Sequence, residues 1–194
     1  GFVGTPYLCH VLSRYGHTDV AYKLLNQESY PSWLYPVKQG ATTVWERWDG
    51  IKPDGSFQDA GMNSFNHYAY GAIGDWLYQV VAGIEVDSDV PGYKRILIQP
   101  QPGGGLTYVK ASLDSMYGRI ESKWTLENGC FHLAVTIPAN TEGVVRLPAQ
   151  SIDDITEQGQ PLSQVEGIRE ARQDDETVIL TLGSGRYQFR SKAL

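Results

Sequence analysis

Apolar positions along this chain change period part-way. In residues 1–85 they recur at helical spacing. Tyr7, Val11 and Leu12 follow Thr5-Pro6. That pair reads as an N-cap with proline at the first helical position, where its missing N–H costs nothing. Gly16 is the expected stop. Thr18-Asp19 reads as the next cap, before Val20, Ala21, Leu24 and Leu25. So short a connection favours antiparallel neighbours. A third helix is predicted over Ser64–Val81, with Phe65, Tyr68, Ala69, Ala72, Ile73, Trp76, Leu77 and Val80 as its apolar stripe. Between the second and third helices lies Gln27–Asn63, rich in Gly, Pro and Trp and without clean periodicity. A loop that long in a compact domain is functional or clamped by packing.

After Asp87 the period falls to two. Strands are predicted at Arg95–Gln99, Leu106–Leu113, Gly118–Leu126, Cys130–Ile137, Gly143–Leu147, Thr177–Leu182 and Gly185–Arg190. Asn128-Gly129 is a hairpin turn signal, since both residues tolerate positive φ. Short strands separated by turns indicate an antiparallel β-sandwich. Residues 88–105, with Pro91, Pro100, Pro102 and Gly103–Gly105, read as the junction. The expected organisation is a helical region over 1–87 and a β-sandwich over 88–194.

The formal charge is −6, with no Lys/Arg run, which excludes nucleic acid and an anionic membrane as expected partners. No apolar run approaches a membrane span of about 20 residues. Cys9 and Cys130 form no metal-ligand pattern, and Cys9 reads as a small buried hydrophobe. His10, His17 and His132 have no metal-ligand spacing. Gly103–Gly105 precede a strand, so they form no phosphate cradle. No oxygen-rich calcium loop stands out, and nothing in the pattern calls for a cofactor. The opening Gly1-Phe2-Val3-Gly4 has no Met and no signal segment, and reads as cut from within a longer polypeptide.

Chemistry concentrates in Gly40–Gly50, where Glu46 sits between Trp45 and Trp48. Tryptophan offers a flat apolar platform to a pyranose ring. Sugar hydrolysis uses carboxylic groups to protonate a leaving oxygen and to activate water. An extended segment would put Glu46 and Trp48 on one face, and a helix would pair Trp45 with Trp48. Thr43-x-x-Glu46 also fits a helix capping box, and on pattern alone capping takes precedence. The tryptophans read more readily as core than as platform. His67 would sit in the first turn of the third helix, where the positive helix end disfavours imidazolium. It reads as a hydrogen-bonding group for a sugar hydroxyl, or as a ring packed among Phe65, Tyr68 and Tyr70. Asp49, Asp54 and Asp59 are further carboxylates. Asp54 belongs to the turn Lys52-Pro53-Asp54-Gly55, and Asp59 to a cap or turn.

Several ordered motifs resemble bacterial α-L-rhamnosidases, glycoside hydrolase family 78. They are Gly4-Thr5-Pro6-Tyr7, Thr42-Thr43-Val44-Trp45-Glu46-Arg47-Trp48-Asp49-Gly50, and Ser64-Phe65-Asn66-His67-Tyr68-Ala69-Tyr70-Gly71 followed by Trp76-Leu77-Tyr78. The similarity continues from Pro91-Gly92-Tyr93-Lys94 through Ile98-Gln99-Pro100-Gln101-Pro102 to Gly118-Arg119, and weakens after about residue 150. The resemblance implies the last helices of an (α/α)6 toroid followed by a small β-sandwich. It implies an inverting hydrolase that removes terminal α-L-rhamnose from glycosides. Glu46 would be the general base, His67 would line the sugar pocket, and Trp45 and Trp48 would help form it. The family's general acid lies earlier in the toroid, and nothing in residues 1–194 matches it. The chain by itself is therefore expected to be inactive, with the remainder of its parent polypeptide as partner, and to self-associate through exposed helices. Two alternatives remain open. One is an (α/α)6 enzyme for another sugar. The other is a non-catalytic carbohydrate-binding or structural module, using Tyr108, Tyr117 or Tyr187.

Overall fold

The computed structural model describes residues 3–61 and 63–192; the opening Gly1-Phe2 lies outside the described residues. The chain forms two compact units, residues 1–76 with 103–105, and residues 77–102 with 106–194.

In the first unit, α1 (Thr5–Arg14) and α2 (Thr18–Leu25) occupy the predicted segments. Each starts one residue earlier than the cap reading requires. Gly4 and His17 are the N-caps, and Thr5 and Thr18 are the first helical residues. Gly16, at φ 81°, closes α1. Its N–H bonds Ser13 O at 3.3 Å and the His17 N–H bonds Leu12 O at 2.8 Å, which satisfies the last carbonyls. The predicted stripe of α1 faces the wrong way for a local core. Tyr7 and Val11 are exposed, while Cys9 and Ser13 are buried. Burial pushes the Cys9 thiol up, as its reading as a buried hydrophobe requires. Ser13 Oγ accepts from Trp76 Nε1 at 2.9 Å, and Trp76 meets the Tyr22 ring edge-on at 5.0 Å. Gly103 and Gly104 cross that same Tyr22 ring. A Cβ would come within 2.6 Å of it at Gly103 and 2.4 Å at Gly104. These glycines permit a close backbone approach, which is their structural reason for being glycine.

The third helix is shorter and more irregular than predicted. Residues 64–68 are not helical. A 3-10 turn, Ala69–Ala72, leads into α4 (Ile73–Trp76). The reason is competition for backbone groups. The His67 N–H bonds Val44 O at 2.8 Å, and Ser64 O accepts from Glu46 N–H at 2.9 Å. Those groups are therefore unavailable to a helical ladder. A short helix, α3 (Leu34–Lys38), interrupts the long segment that follows α2.

Among the described residues of the second unit, a π-helical turn, Leu77–Val81, precedes eleven strands in two sheets. They are β1 (Ile84–Val86), β2 (Arg95–Ile98), β3 (Tyr108–Ser115), β4 (Gly118–Glu127), β5 (Cys130–Ile137), β6 (Glu142–Pro148), β7 (Thr156–Glu157), β8 (Gln160–Pro161), β9 (Ile168–Asp174), β10 (Thr177–Leu182) and β11 (Gly185–Lys192). One sheet runs β1-β2-β6-β10-β9 and the other β3-β4-β5-β11-β7-β8. All seven predicted strands are present. Four further strands, β1, β7, β8 and β9, lie outside the predicted segments, and β7 and β8 have two residues each. β1 has three residues, and β9 is an exposed edge strand whose alternation is masked by charge. β1 pairs with β2, so the sandwich unit begins before Asp87. One pair departs from the antiparallel expectation. β2 and β6 are parallel, because β3 to β5 lie in the other sheet between them. Asn128 and Gly129, at φ 51° and 71°, form the expected tight turn between β4 and β5. Ile96, Ile98, Ile120, Trp124, Phe131, Leu133 and Leu147 are fully buried. Trp124 Nε1 donates to Val81 O at 2.7 Å, so the largest core side chain leaves no polar atom unsatisfied.

Candidate active site

Two irregular stretches of the helical unit pair with each other to build the site. Val44–Glu46 lies alongside Ser64–His67 through the two backbone bonds given above. Thr43 Oγ1 adds a bond to Phe65 O. Beyond Glu46 the chain turns, with Gly50 N–H on Arg47 O at 3.1 Å. It then runs out and back as a hairpin-like loop closed by the Ile51–Phe57 bridge. The turn Lys52–Gly55 sits at its tip, with Ser56 N–H on Asp54 Oδ1 at 2.9 Å. The long segment is thus clamped by packing and hydrogen bonds without regular structure.

Glu46 is half-buried and starts no helix, so the capping-box reading is set aside. Its Oε2 accepts from Ser64 N–H at 3.2 Å. Ser64 therefore grips Glu46 twice, at the backbone and at the carboxylate. The other carboxylates of this unit are engaged differently. Asp19 pairs with Lys23, Glu28 with Lys38, Asp49 with Arg47 and Asp75 with His10. Asp54 and Asp59 accept local backbone N–H groups in turns, from Ser56 and Gly61. Among the described residues of the unit, Glu46 alone combines a long-range backbone anchor with no cation and no local turn. Asp54 and Asp59 take the turn roles expected of them.

His67 lies before the helical stretch, not in its first turn, so the helix-end argument for its neutral form does not apply. Its ring stacks on Tyr68 at 5.2 Å, and its Nδ1 accepts from Ala69 N–H at 3.2 Å. In the neutral ring that places the proton on Nε2.

The two tryptophans line a different feature, an apolar cavity of about 350 Å³ with Leu34, Val37 and Tyr70 among its walls. Trp45 is buried and meets Phe65 edge-on at 5.3 Å. Trp48 stacks on Tyr70 at 4.8 Å and leans on Trp33 at the same distance. Trp33 donates to Tyr70 O at 3.0 Å and fixes the trio. Burial, with Asp49 adding to it, pushes the Tyr70 phenol up, so it stays a neutral hydroxyl at physiological pH. Glu46 and His67 are not among the cavity's walls. The four singled-out residues thus fall into two groups: Glu46 and His67, whose side chains each accept a backbone N–H, and the two tryptophans on the apolar cavity. Sequence reasoning missed Ser64, Trp33 and Tyr70 as the groups that position them. The aromatic density of Gln27–Asn63 was the available signal for Trp33. Among the described residues no group of three His, Cys, Asp or Glu is placed to hold a metal ion.

Sequence comparison assigns both halves to one kind of protein. Residues 1–81 match the bacterial alpha-L-rhamnosidase 6 hairpin glycosidase domain, and residues 83–161 match the bacterial alpha-L-rhamnosidase C-terminal domain. The chain belongs to the bacterial α-L-rhamnosidase family. An α-L-rhamnosidase of Streptomyces avermitilis is 43% identical over 97% of this chain, which spans 17% of that protein. One from Formosa agariphila is 38% identical over 99% of the chain and 20% of its own length. The crystal structure of the Streptomyces avermitilis α-L-rhamnosidase complexed with L-rhamnose superposes with a TM-score of 0.89 at 43% identity. That match covers 99% of this chain and 18% of the other. The chain therefore spans about a fifth of the length of the rhamnosidases it matches. The six-hairpin assignment explains the helical unit as part of an (α/α)6 toroid, followed by the β-sandwich.

Proposed function

We propose that the polypeptide to which this chain corresponds hydrolyses terminal α-L-rhamnosides with inversion, and that this chain supplies the general base, Glu46. The observation that carries the reading is the state of that carboxylate. A base that activates water must be ionised, fixed in direction and not neutralised by a cation. Glu46 is anchored through Oε2 by the Ser64 N–H, and its neighbour Arg47 is turned to Asp49. The second oxygen is then the one to take the proton from water as it attacks the anomeric carbon. His67, with its ring direction set by Ala69 N–H and Tyr68, would hydrogen-bond a sugar hydroxyl. Trp45 and Trp48 would shape the pocket from behind, by packing against Phe65 and Tyr70.

Inversion needs a second carboxyl group about 6.5–9.5 Å from the base, leaving room for the water. Every other carboxylate of the helical unit is engaged in an ion pair or a turn. The acid would therefore come from the rest of the parent polypeptide. Glu46→Gln in that parent should lower kcat by about 10²-fold or more with KM nearly unchanged, the scale expected for a general base. Turnover within a few-fold of wild type would overturn the assignment and favour a binding role.

A further inference from the structure

The outer face of the six-stranded sheet carries four cations, Lys110, Lys123, Arg186 and Arg190, beside Glu121, Glu127 and the Asp114–Arg119 pair. Register places Tyr108, Thr125, His132 and Arg190 in one row across β3, β4, β5 and β11. The next row is Lys110, Lys123, Ala134 and Gln188. The alternating residues Trp124, Leu133 and Phe189 are buried, so these rows point away from the core.

Three features set this face apart from an ordinary wet sheet. It is concave: two hollows of about 430 and 250 Å³ adjoin, sharing Lys123, Ala134 and Gln188. The short Ala134 leaves a floor between long neighbours. Lys110 and Lys123 stand directly opposite each other, a pairing that repels unless an anion lies between them. Lastly, Lys110, Lys123, Arg186 and Arg190 make no ion pair among the described residues. The Arg190 guanidinium donates to the Cys130 sulfur, at 3.0 Å. Elsewhere in the sandwich Arg95, Arg146 and Arg169 each hold a carboxylate, and farther along this same face Arg119 holds Asp114. Glu121, which accepts from the Thr136 hydroxyl at 2.8 Å, and Glu127 lie on the same face, two carboxylates against these four cations. This positive surface lies on a chain whose net charge is −6.

We propose that this face binds an acidic polysaccharide carrying carboxylate groups. Lys110 and Lys123 hold one carboxylate between them, and the planar forks of Arg186 and Arg190 suit neighbouring ones. Tyr108, 68% exposed at the end of its row, offers a flat ring to a pyranose. Thr125, His132 and Gln188 supply hydrogen bonds to hydroxyls. A single aromatic beside many small polar groups fits a sugar chain better than the stacked bases of a nucleic acid. The site does not depend on the chemistry assigned to Glu46.

Affinity electrophoresis of the 194-residue chain through polygalacturonate, dextran sulfate, neutral dextran and poly(U), at one salt concentration, tests it. Polygalacturonate should retard the chain most and dextran not at all. Lys110→Gln with Lys123→Gln should weaken that binding roughly tenfold or more. Arg146→Gln with Arg172→Gln, an equal charge loss on the other sheet, should leave it unchanged. Lys110→Glu should abolish binding yet raise Tm by about 1–4 °C, by replacing a repulsive pair with an attractive one. No retardation by polygalacturonate, equal loss in the control pair, or stronger retardation by dextran sulfate or poly(U) would each overturn the proposal. A Tm that falls in Lys110→Glu would do the same.

Discussion

The sandwich and the helical unit use their apolar residues in opposite ways. Alternate positions of β4, β5 and β11 disappear into a core closed by the facing sheet, with Trp124 at 0% exposure. Along α1 and its C-cap, Tyr7, Val11 and Tyr15 form an equally regular stripe, four residues apart, yet are 69%, 50% and 72% exposed. The period of a pattern reports the element. It does not report whether the surface that the element needs lies in the same unit. The sandwich contains both of its layers. A helix of a toroid is covered by neighbouring helices, and the chain spans only about a fifth of its relatives' length.

Core truncation should break the comparison most strongly. Trp124→Ala should cost about 3–5 kcal/mol of sandwich stability, as a large fully buried side chain with a satisfied N–H does. Val11→Ala should cost the helical unit less than about 0.5 kcal/mol, as at an ordinary surface position. Chemical denaturation of each variant checks the pair, and similar losses would erase the distinction.

Next in size is association. An uncovered apolar stripe on α1 should drive the chain to self-associate. Light scattering should find oligomers, and Val11→Lys with Tyr15→Lys should return it to monomer. A monodisperse wild-type monomer would contradict this.

The smallest effects concern pH, and they have opposite signs in the two regions. Burial pushes the Tyr22 phenol in the helical unit up to about 12. The unfolded chain ionises near pH 10, so this stabilisation is full below about pH 10 and is lost as pH rises towards 12. Asp87, in the sandwich unit, is held below the usual carboxylate range by the Asp89 N–H and by Arg95. Its contribution is present above about pH 4 and is lost as pH falls through its lowered value. Tyr22→Phe should flatten only the alkaline limb of Tm against pH, and Asp87→Asn only the acid limb.

Legibility followed the same division. Strands were readable where one face is buried and the other wet, as in β5, and where a tight turn fixed register, as at Asn128-Gly129. The edge strand β9 was not, because Arg169, Glu170, Arg172 and Asp174 leave no alternation to read. In the site, the Trp45-Glu46-Arg47-Trp48 motif stood out, but its local structure did not. Ser64, eighteen residues away, takes the backbone bonds that a capped helix would have used. A long-range pairing of that kind leaves no periodic trace. It is also why Glu46, read locally as a cap, becomes the anchored carboxylate of the proposed mechanism.

The most direct test compares the full parent polypeptide with the 194-residue chain on an aryl α-L-rhamnoside, with NMR following the anomer first released. The two-carboxylate reading predicts that the parent releases rhamnose of inverted configuration and that the chain alone releases none. Retained configuration from the parent, or hydrolysis by the pure chain, would contradict it.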